Sequence, residues 1–439
     1  MLRVVPVVDH LAISPATAAI ASGASVHYSV EGFGADGGSL GDLTFAATFS
    51  VDAAPQACAG AVCSPLAVGA RTVTASVLGA TATATVQVAA AGPPGAKAFT
   101  WGGLTTDSYG LMVVDAQSFT QLEADTHWAQ IDAGDDYFAA LKTDGTLWTW
   151  GQNGWGALGT GDTAPRTVPT QVGADHDWVT LSAGDSGAAA IKANGTLWAW
   201  GGGFGNTPTR VVAPGGSWVS VAADGGHWLA VRSDGSLWAW GWNGAGELGT
   251  GSAALYEPSP VQVGADHDWV SVDAAFIHSF GIRADGSLWA WGFNNSGQLG
   301  VGGVADAASP VRVGTRTWRS VTAGDFSTAA IATDGSLWTW GANESGQLGD
   351  GTFGERDVPT QVVPAGGASW VGIAINDGWA FGTRSDGSLW VWGSGTQPAW
   401  APAPPGRFQP RRVGTGTGWT DVTAEGGTTG SSMGVALGS

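Results

Sequence analysis

Four groups of residues in this 439-residue chain have types and spacings that could do chemistry. Gly184-Asp185-Ser186-Gly187 has the form of a nucleophile loop, in which Ser186 would attack a carbonyl once a histidine had taken its proton. No His and Asp partners accompany it in a recognisable pattern, so the expectation here is a turn. Asp175-His176-Asp177 and its copy Asp266-His267-Asp268 carry the oxygen and imidazole donors that suit a cation. Their repetition at equivalent places points to a structural motif instead. Cys58 and Cys63, the only cysteines, form a Cys-x4-Cys loop. They could bridge outside the cytoplasm or stay as buried thiols, and a structural zinc would want more ligands than this loop offers. The fourth group is acidic: Asp135, Asp136, Asp185, Asp224, Asp325, Asp377 and Glu425 sit at one recurring turn. Such carboxylates could attract a basic partner or a cation, or simply cap backbone amides. No catalytic residue, metal site or cofactor is expected.

The turn that carries these acids belongs to a repeat. A Trp-Gly pair recurs at Trp101, Trp150, Trp200, Trp240, Trp291, Trp340 and Trp392, at intervals of 40 to 52 residues. Asp-Gly or Asn-Gly precedes six of the pairs (Asp144, Asn194, Asp234, Asp285, Asp334 and Asp386), which predicts a tight two-residue hairpin before each. Upstream lies Trp-x-x-(Val/Ile/Leu)-x-Ala, starting at Trp128, Trp178, Trp218, Trp269, Trp318, Trp370 and Trp419 in all but small variations. In the copy from Trp269 to Val313, strand A is Trp269 to Ala274, strand B His278 to Arg283, strand C Leu288 to Gly292 and strand D Pro310 to Val313. Side chains alternate along a strand, so Trp289 and Trp291 share one face while Leu288 and Ala290 share the other. Both faces are apolar, as in a propeller blade packed between two neighbours.

Asp-Gly-Ser-Leu-Trp-x-Trp-Gly-x-Asn-x-x-Gly-Gln-Leu-Gly, then Pro-x-x-Val and Trp-x-x-Val-x-Ala-Gly, resembles the regulator of chromosome condensation repeat family. The resemblance covers about three quarters of the chain and implies a seven-bladed propeller. The family's histidine after Ala-Gly is kept at His227 and His278, whereas Tyr137, Gly187, Ser327 and Trp379 stand there in other copies. Residues 97–439 are assigned to the propeller. It opens on a strand C at Lys97 to Gly102 and ends on strands A and B, at Trp419 and Met433. Pairing of these terminal strands would complete one blade and close the ring, removing exposed sheet edges.

Residues 1–90 alternate Val, Thr, Ala and Ile between turn clusters, as a small antiparallel sandwich would. Leu11-Ala-Ile-Ser-Pro-Ala-Thr, Ala21-Ser-Gly-Ala-Ser-Val and Thr72-Val-Thr-Ala-Ser-Val resemble a bacterial immunoglobulin-like domain. That resemblance implies an exported setting: extracellular, cell-surface or periplasmic. Residues 91–96, with Gly92-Pro93-Pro94-Gly95, form a stiffened linker. No basic segment followed by an apolar core and a cleavage site opens this chain. The fold class is therefore all-β, a sandwich followed by a propeller.

Acids outnumber bases 36 to 17, giving a net charge of −19. That sign excludes binding of nucleic acid through phosphate neutralisation, and no apolar run is long enough for membrane insertion by a helix. Of 25 tryptophans, five fall outside the repeat register: Trp155, Trp228, Trp242, Trp379 and Trp400. All five lie on A to B turns or C to D loops, which leave a four-stranded meander at the same end. Tyr137, Phe138, Phe276, Phe293, Phe326 and Phe353 lie on the same connections. The expected activity is non-enzymatic binding of an unidentified, basic protein through an aromatic and acidic face. Packed blade caps are the alternative for the aromatics. The resemblance implies several other roles, since the family includes a nucleotide exchange factor for a small GTPase, an ultraviolet-B photoreceptor and a propeller-type β-lactamase inhibitor. The aromatic turns are most similar to those of the inhibitor branch. Carbohydrate binding through stacked tryptophans and ultraviolet sensing by clustered Trp are the competing readings.

Overall fold

The computed structural model describes residues 8–438 except residues 15–16, 22–25, 36–37, 44–46, 52–57, 60–61, 64–68, 78–79, 90–96, 102–119, 122–126, 214, 364–366, 377, 394–407 and 425–433. The chain divides into two units, the first built on Met1–Pro94 and the second holding most of the remainder. The linker at residues 91–96 lies outside the described residues.

In the first unit, Pro15 has no N–H to donate to a ladder, and the strands on either side of it join different sheets. His10–Ser14 pairs with Ser29–Phe33, which pairs with Ser39–Asp42. Thr17–Ala21 instead lies parallel to Ala80–Ala89, which continues through Gly69–Val77 to Thr48–Val51. That parallel pair corrects the wholly antiparallel expectation. The change of sheet between Ser14 and Thr17 sets the second strand beside residues 85–89 running the same way. Leu11, Tyr28, Val30, Val51, Val73, Ala75 and Ala84 form one core between the sheets. In a third, small sheet the backbone register sets Cys58 opposite Cys63.

The second unit repeats one four-stranded meander. Blade 1 consists of Trp128–Gly134, Tyr137–Lys142, Leu147–Gly151 and Arg166–Gln171, as strands A to D. Blades 2 to 6 begin at Trp178, Trp218, Trp269, Trp318 and Trp370. The strand Ala307–Ala323 serves as D of blade 4 and A of blade 5, so those two blades form one seven-stranded sheet. A further sheet takes strands from both ends of the unit, in the order Thr120–Gln121, Lys97–Trp101, Gly434–Gly438, Trp419–Ala424. In this composite sheet Lys97 is opposite Gly438 and Trp101 is opposite Gly434. Val422 packs with the core of blade 6, and Leu437 packs with Trp128 and Ile131 of blade 1.

The Asp-Gly turns differ from the two-residue hairpins expected. Lys142 N–H donates to Thr146 O at 3.0 Å and Gly145 N–H to Lys142 O at 2.9 Å, which encloses three loop residues. Gly145 alone takes the left-handed conformation, at φ 78°, while Asp144 keeps an ordinary negative φ. The reason is a second use for the aspartate. Its Oδ1 accepts from Thr146 N and Oγ1 (3.0 and 2.6 Å), and Thr146 Oγ1 accepts from the Trp148 indole at 2.8 Å. The Asp-Gly-(Ser/Thr)-Leu-Trp string is thus one hydrogen-bonded unit, repeated in blades 5 and 6 through Ser336 and Ser388.

Alternation along strand C directs the packing between blades. Trp289 and Trp291 join the cluster of Leu229, Leu237 and Leu248 from blade 3, whereas Leu288 and Ala290 join that of Trp318 and Trp340 from blade 5. The C to D loop is organised by its Asn: Asn294 Oδ1 accepts Leu299 N–H at 3.0 Å while Nδ2 donates to Gly303 O and Ala305 O. Asn153, Asn243 and Asn343 do the same in their blades. The loop in turn offers a carbonyl to the next blade. Trp200, Trp291, Trp340 and Trp392 each donate their indole N–H at 2.8 Å, to Ala157 O, Glu247 O, Gln298 O and Gln347 O respectively.

At the opposite end of the blades the repeat consumes much of the scarce positive charge. Lys142, Lys192, Arg283 and Arg384 each lie over two tryptophan rings of their own blade, within 3.7 to 5.1 Å of the centroids. The two Asp-His-Asp segments serve these cations. Asp175 and Asp177 hold Lys192 Nζ at 2.6 and 3.1 Å, and Asp266 and Asp268 hold Arg283 at 2.5 and 3.6 Å.

Candidate functional site

In blade 1 the start of strand B, Tyr137, is opposite the end of strand C, Gly151, so the A to B turn and the C to D loop leave at one end. That end carries the exposed aromatics. Trp155 is 77% exposed, Trp242 51%, Tyr256 53%, Phe276 41% and Phe353 52%. Trp242 lies 6.5 Å from Tyr256, and half-buried Phe326 meets Phe293 edge-on at 6.3 Å. Tyr256 begins a strand D and was not anticipated as a site residue, because its repeat position marks it only as the end of a loop.

Trp228, Trp379, Tyr137 and Phe138, expected on this rim, are buried at 4, 4, 0 and 4% exposure. They are blade caps, and the repeat shows why. One residue past the family's histidine position stand Ala188, Ser279, Thr328 and Ala380, beside the four indoles that bond a preceding loop. The loop before blade 3 is the short Gly201-Gly-Gly-Phe-Gly-Asn, which provides no such carbonyl. Trp228 occupies the gap, stacking on Trp240 at 6.3 Å and 7° with Phe204 edge-on against it at 5.0 Å. The Trp240 indole nitrogen is accordingly buried with no hydrogen-bond acceptor among the described residues. Phe138 stacks on Trp150 at 5.4 Å in the same manner. Tyr137 donates its hydroxyl to Gly184 O and Gly187 O of blade 2, both at 2.9 Å. The paired departures, a lost Gly-Gln-Leu-Gly loop and a large residue at the following turn, are the sequence signal for the Trp228 cap, whereas Trp379 follows an intact Gly346-Gln347-Leu348-Gly349 loop and stacks on Phe381 at 6.4 Å and 26°. Trp228→Ala is expected to cost about 3 to 5 kcal/mol of stability, as for other buried aromatics. Urea unfolding checks this, and a loss under about 1 kcal/mol would return Trp228 to the rim.

The small strand-A residues surround a cavity of about 430 Å³. Asp135, Asp185, Asp224 and Asp325 line it from the A to B turns. Asp377, Glu425 and Trp400 lie outside the described residues. The cavity holds three more acids that sequence reasoning missed: Asp132, Asp273 and Asp421. Asp132 and Asp273 stand four residues after the strand-A tryptophan and Asp421 two after, positions that share the inward face of the strand. Asp132 accepts Ala133 N–H of its own strand, Ala183 N–H of blade 2 (both 3.0 Å) and the Thr423 hydroxyl of the composite sheet at 3.2 Å. Asp273 likewise accepts Ala323 N–H of blade 5 at 2.9 Å, and Ser182 Oγ accepts Ala223 N–H of blade 3 at 3.1 Å. Among the described lining residues none is Lys, Arg or His. Burial pushes Asp273 up to about 8, and Asp132 and Asp421 to about 6, against the hydrogen bonds that pull them down. Asp224 is raised well above the carboxylate range by burial and then by the adjacent Asp185. Gly184-Asp185-Ser186-Gly187 is one of these turns, tightened by Gly184 N–H to Gly187 O at 2.9 Å.

Repeated four-stranded sheets whose first strands line a common cavity define an all-β, propeller-like scaffold. The family profile described as the RCC1-like domain matches residues 97–431, and the chain belongs to that family. The Ultraviolet-B receptor UVR8 of Arabidopsis thaliana is 30% identical over 199 residues, which are 42% of this chain and 45% of the receptor. The probable E3 ubiquitin-protein ligase HERC3 of Homo sapiens is 37% identical over 76 residues, 17% of this chain and 7% of the ligase. The chain thus spans less than half the length of either relative. The crystal structure of Kap60 bound to yeast RCC1 (Prp20) contains a chain of which 90% is covered, along with 79% of this one, at a TM-score of 0.67 and 21% identity. For Prp20p from Saccharomyces cerevisiae the values are 91%, 78%, 0.66 and 22%, and for human WBSCR16 they are 98%, 78%, 0.64 and 20%. These structural likenesses concern the fold.

Proposed function

We propose that this chain is a non-enzymatic, exported protein-binding module that receives a basic partner on the end carrying the loops. The observation that carries the reading is the exposure of Trp155, Trp242 and Phe276 around an axial mouth lined only by acids among its charged described residues. Large aromatics are the usual anchors of an interface, and a field of one sign steers an oppositely charged partner. Kap60 bound to RCC1, and the binding of Prp20p to Gsp1p and to histones, are protein partnerships of proteins that share the fold. The reading also takes the ring to be closed through the composite sheet. It takes the first unit to be immunoglobulin-like and Cys58–Cys63 to be a disulfide, which is what favours export.

Cross-linking and mass spectrometry on the native source would supply the partner, and fractionation of that source would place the protein inside or outside the cell. Trp155→Ala and Trp242→Ala are then expected to weaken partner binding by about 2 kcal/mol each. Being exposed, they should change stability by less than about 0.5 kcal/mol. Full affinity in the double variant would sink the aromatic face, and an exclusively cytosolic protein would sink export.

A further inference from the structure

We propose that the axial carboxylates form a proton-operated clasp between blades, tightening the inner strands as the surroundings fall from mildly alkaline toward neutral pH and loosening them as the pH rises again. The geometry is a set of stitches. Asp132 ties blade 1 to blade 2 and to the composite sheet, and Asp273 ties blade 4 to blade 5. Asp224 accepts Gly225 N–H at 2.8 Å and Asp185 N–H at 3.2 Å, which ties blade 3 to blade 2. All open on one cavity together with Asp135, Asp325 and Asp421. No described cation lines that cavity, and Tyr137, whose hydroxyl is pushed up by burial and by Asp132, Asp224 and Asp185, stays neutral. A protonated carboxyl still accepts the stitching N–H, whereas ionised ones also repel one another across the cavity.

Burial raises Asp273 to about 8 and Asp224 well above the carboxylate range, both above an unfolded value of about 4. Raised carboxyls contribute stability that is complete below the unfolded value and is lost as pH climbs through the folded one. Two buried histidines oppose this. His227 and His278 are depressed by burial to about 4 and about 3, so their contribution is present above about 6.5 and is lost as pH falls. The carboxylate effect therefore stands alone between about pH 6.5 and 8.5.

The experiment is a series of thermal melts on the full chain across that window, followed by tryptophan fluorescence. Every tryptophan lies at or beyond Trp101, so the signal reports the second unit alone. The melting temperature should fall by several degrees as pH rises from about 6.5 to 8.5. Asp273→Asn and Asp224→Asn should each flatten the slope and melt higher than the parent at the alkaline end, because the amide oxygen keeps the stitch without the charge. Glu344→Gln, which removes an exposed charge elsewhere, should keep the parental slope. A parental melting temperature that is flat or rises with pH would overturn the clasp, as would an unchanged slope in the Asn variants. Should either variant fail to fold, carboxyl carbon-13 titration of the parent decides: an Asp273 midpoint near the ordinary value of about 4 would also overturn it.

Discussion

Trp291→Ala will lose about 3 to 5 kcal/mol of folding stability, the range for deleting a buried aromatic whose surroundings cannot collapse. The site is well specified. Trp291 is fully buried among Leu229, Leu237, Leu248 and Trp269, and its indole donates to Glu247 O at 2.8 Å. Glu247 O keeps the Ser279 hydroxyl as a donor at 2.8 Å, so loss of the indole hydrogen bond adds at most about 1 kcal/mol to the cavity cost. Trp291→Phe should keep most of the packing and lose the hydrogen bond, and so should fall between the parent and the alanine variant. Urea unfolding with equilibrium fluorescence measures both. An alanine variant within about 1 kcal/mol of the parent would show that the interface between blades 3 and 4 is looser than its geometry indicates.

Removing Gly434–Ser439 is expected to unfold or aggregate the second unit at ambient temperature. Gly434–Gly438 is an interior strand of the composite sheet, bonded on one side to Lys97–Trp101 and on the other to Trp419–Ala424. Without it the two flanking strands lose their shared ladder and each presents an unpaired edge, the geometry that templates association. Leu437 would also leave the cluster it forms with Trp128, Ile131 and Trp150. Size-exclusion chromatography and circular dichroism give the answer. A truncated chain that elutes as the parent does and melts at the parental temperature would remove the support for ring closure through this sheet.

Strand C of blade 4 was legible because two periods agree there. The period of two separates Trp289 and Trp291 from Leu288 and Ala290, and the repeat returns the same string in each blade. The predicted strands for that blade, His278–Arg283 among them, match the observed ones to within a residue or two except at strand D, which starts earlier, at Ala307. The Asp-Gly hairpins were legible as turns but not as to type. Asp144 could be known to favour its neighbour's hydroxyl only once Thr146 was seen to accept the Trp148 indole as well.

The candidate site was legible only in part. Trp228 and Trp155 look alike in the chain, both outside the repeat register, yet one is 4% and the other 77% exposed. Trp155 projects from a C to D loop, whereas Trp228 fills the place left by the short loop before blade 3, a relation between residues some 25 positions apart in sequence, near Gly202 and Trp228. Asp132, Asp273 and Asp421 were passed over because each is an isolated acid within an apolar strand. Their significance arises when strands from several blades bring them to one cavity.

The sequence by itself determined the repeat, its strands and the places of its turns, because side-chain alternation and the Asp-Gly signal rest on residues within a few positions of one another. Local hydrogen bonds and side-chain alternation need no knowledge of the remaining blades. Only the tertiary structure decided which aromatics cap blades and which face solvent, and which acids meet. Burial and electrostatic coupling depend on what a distant part of the chain places alongside: Ala183 against Asp132, and Asp185 against Asp224.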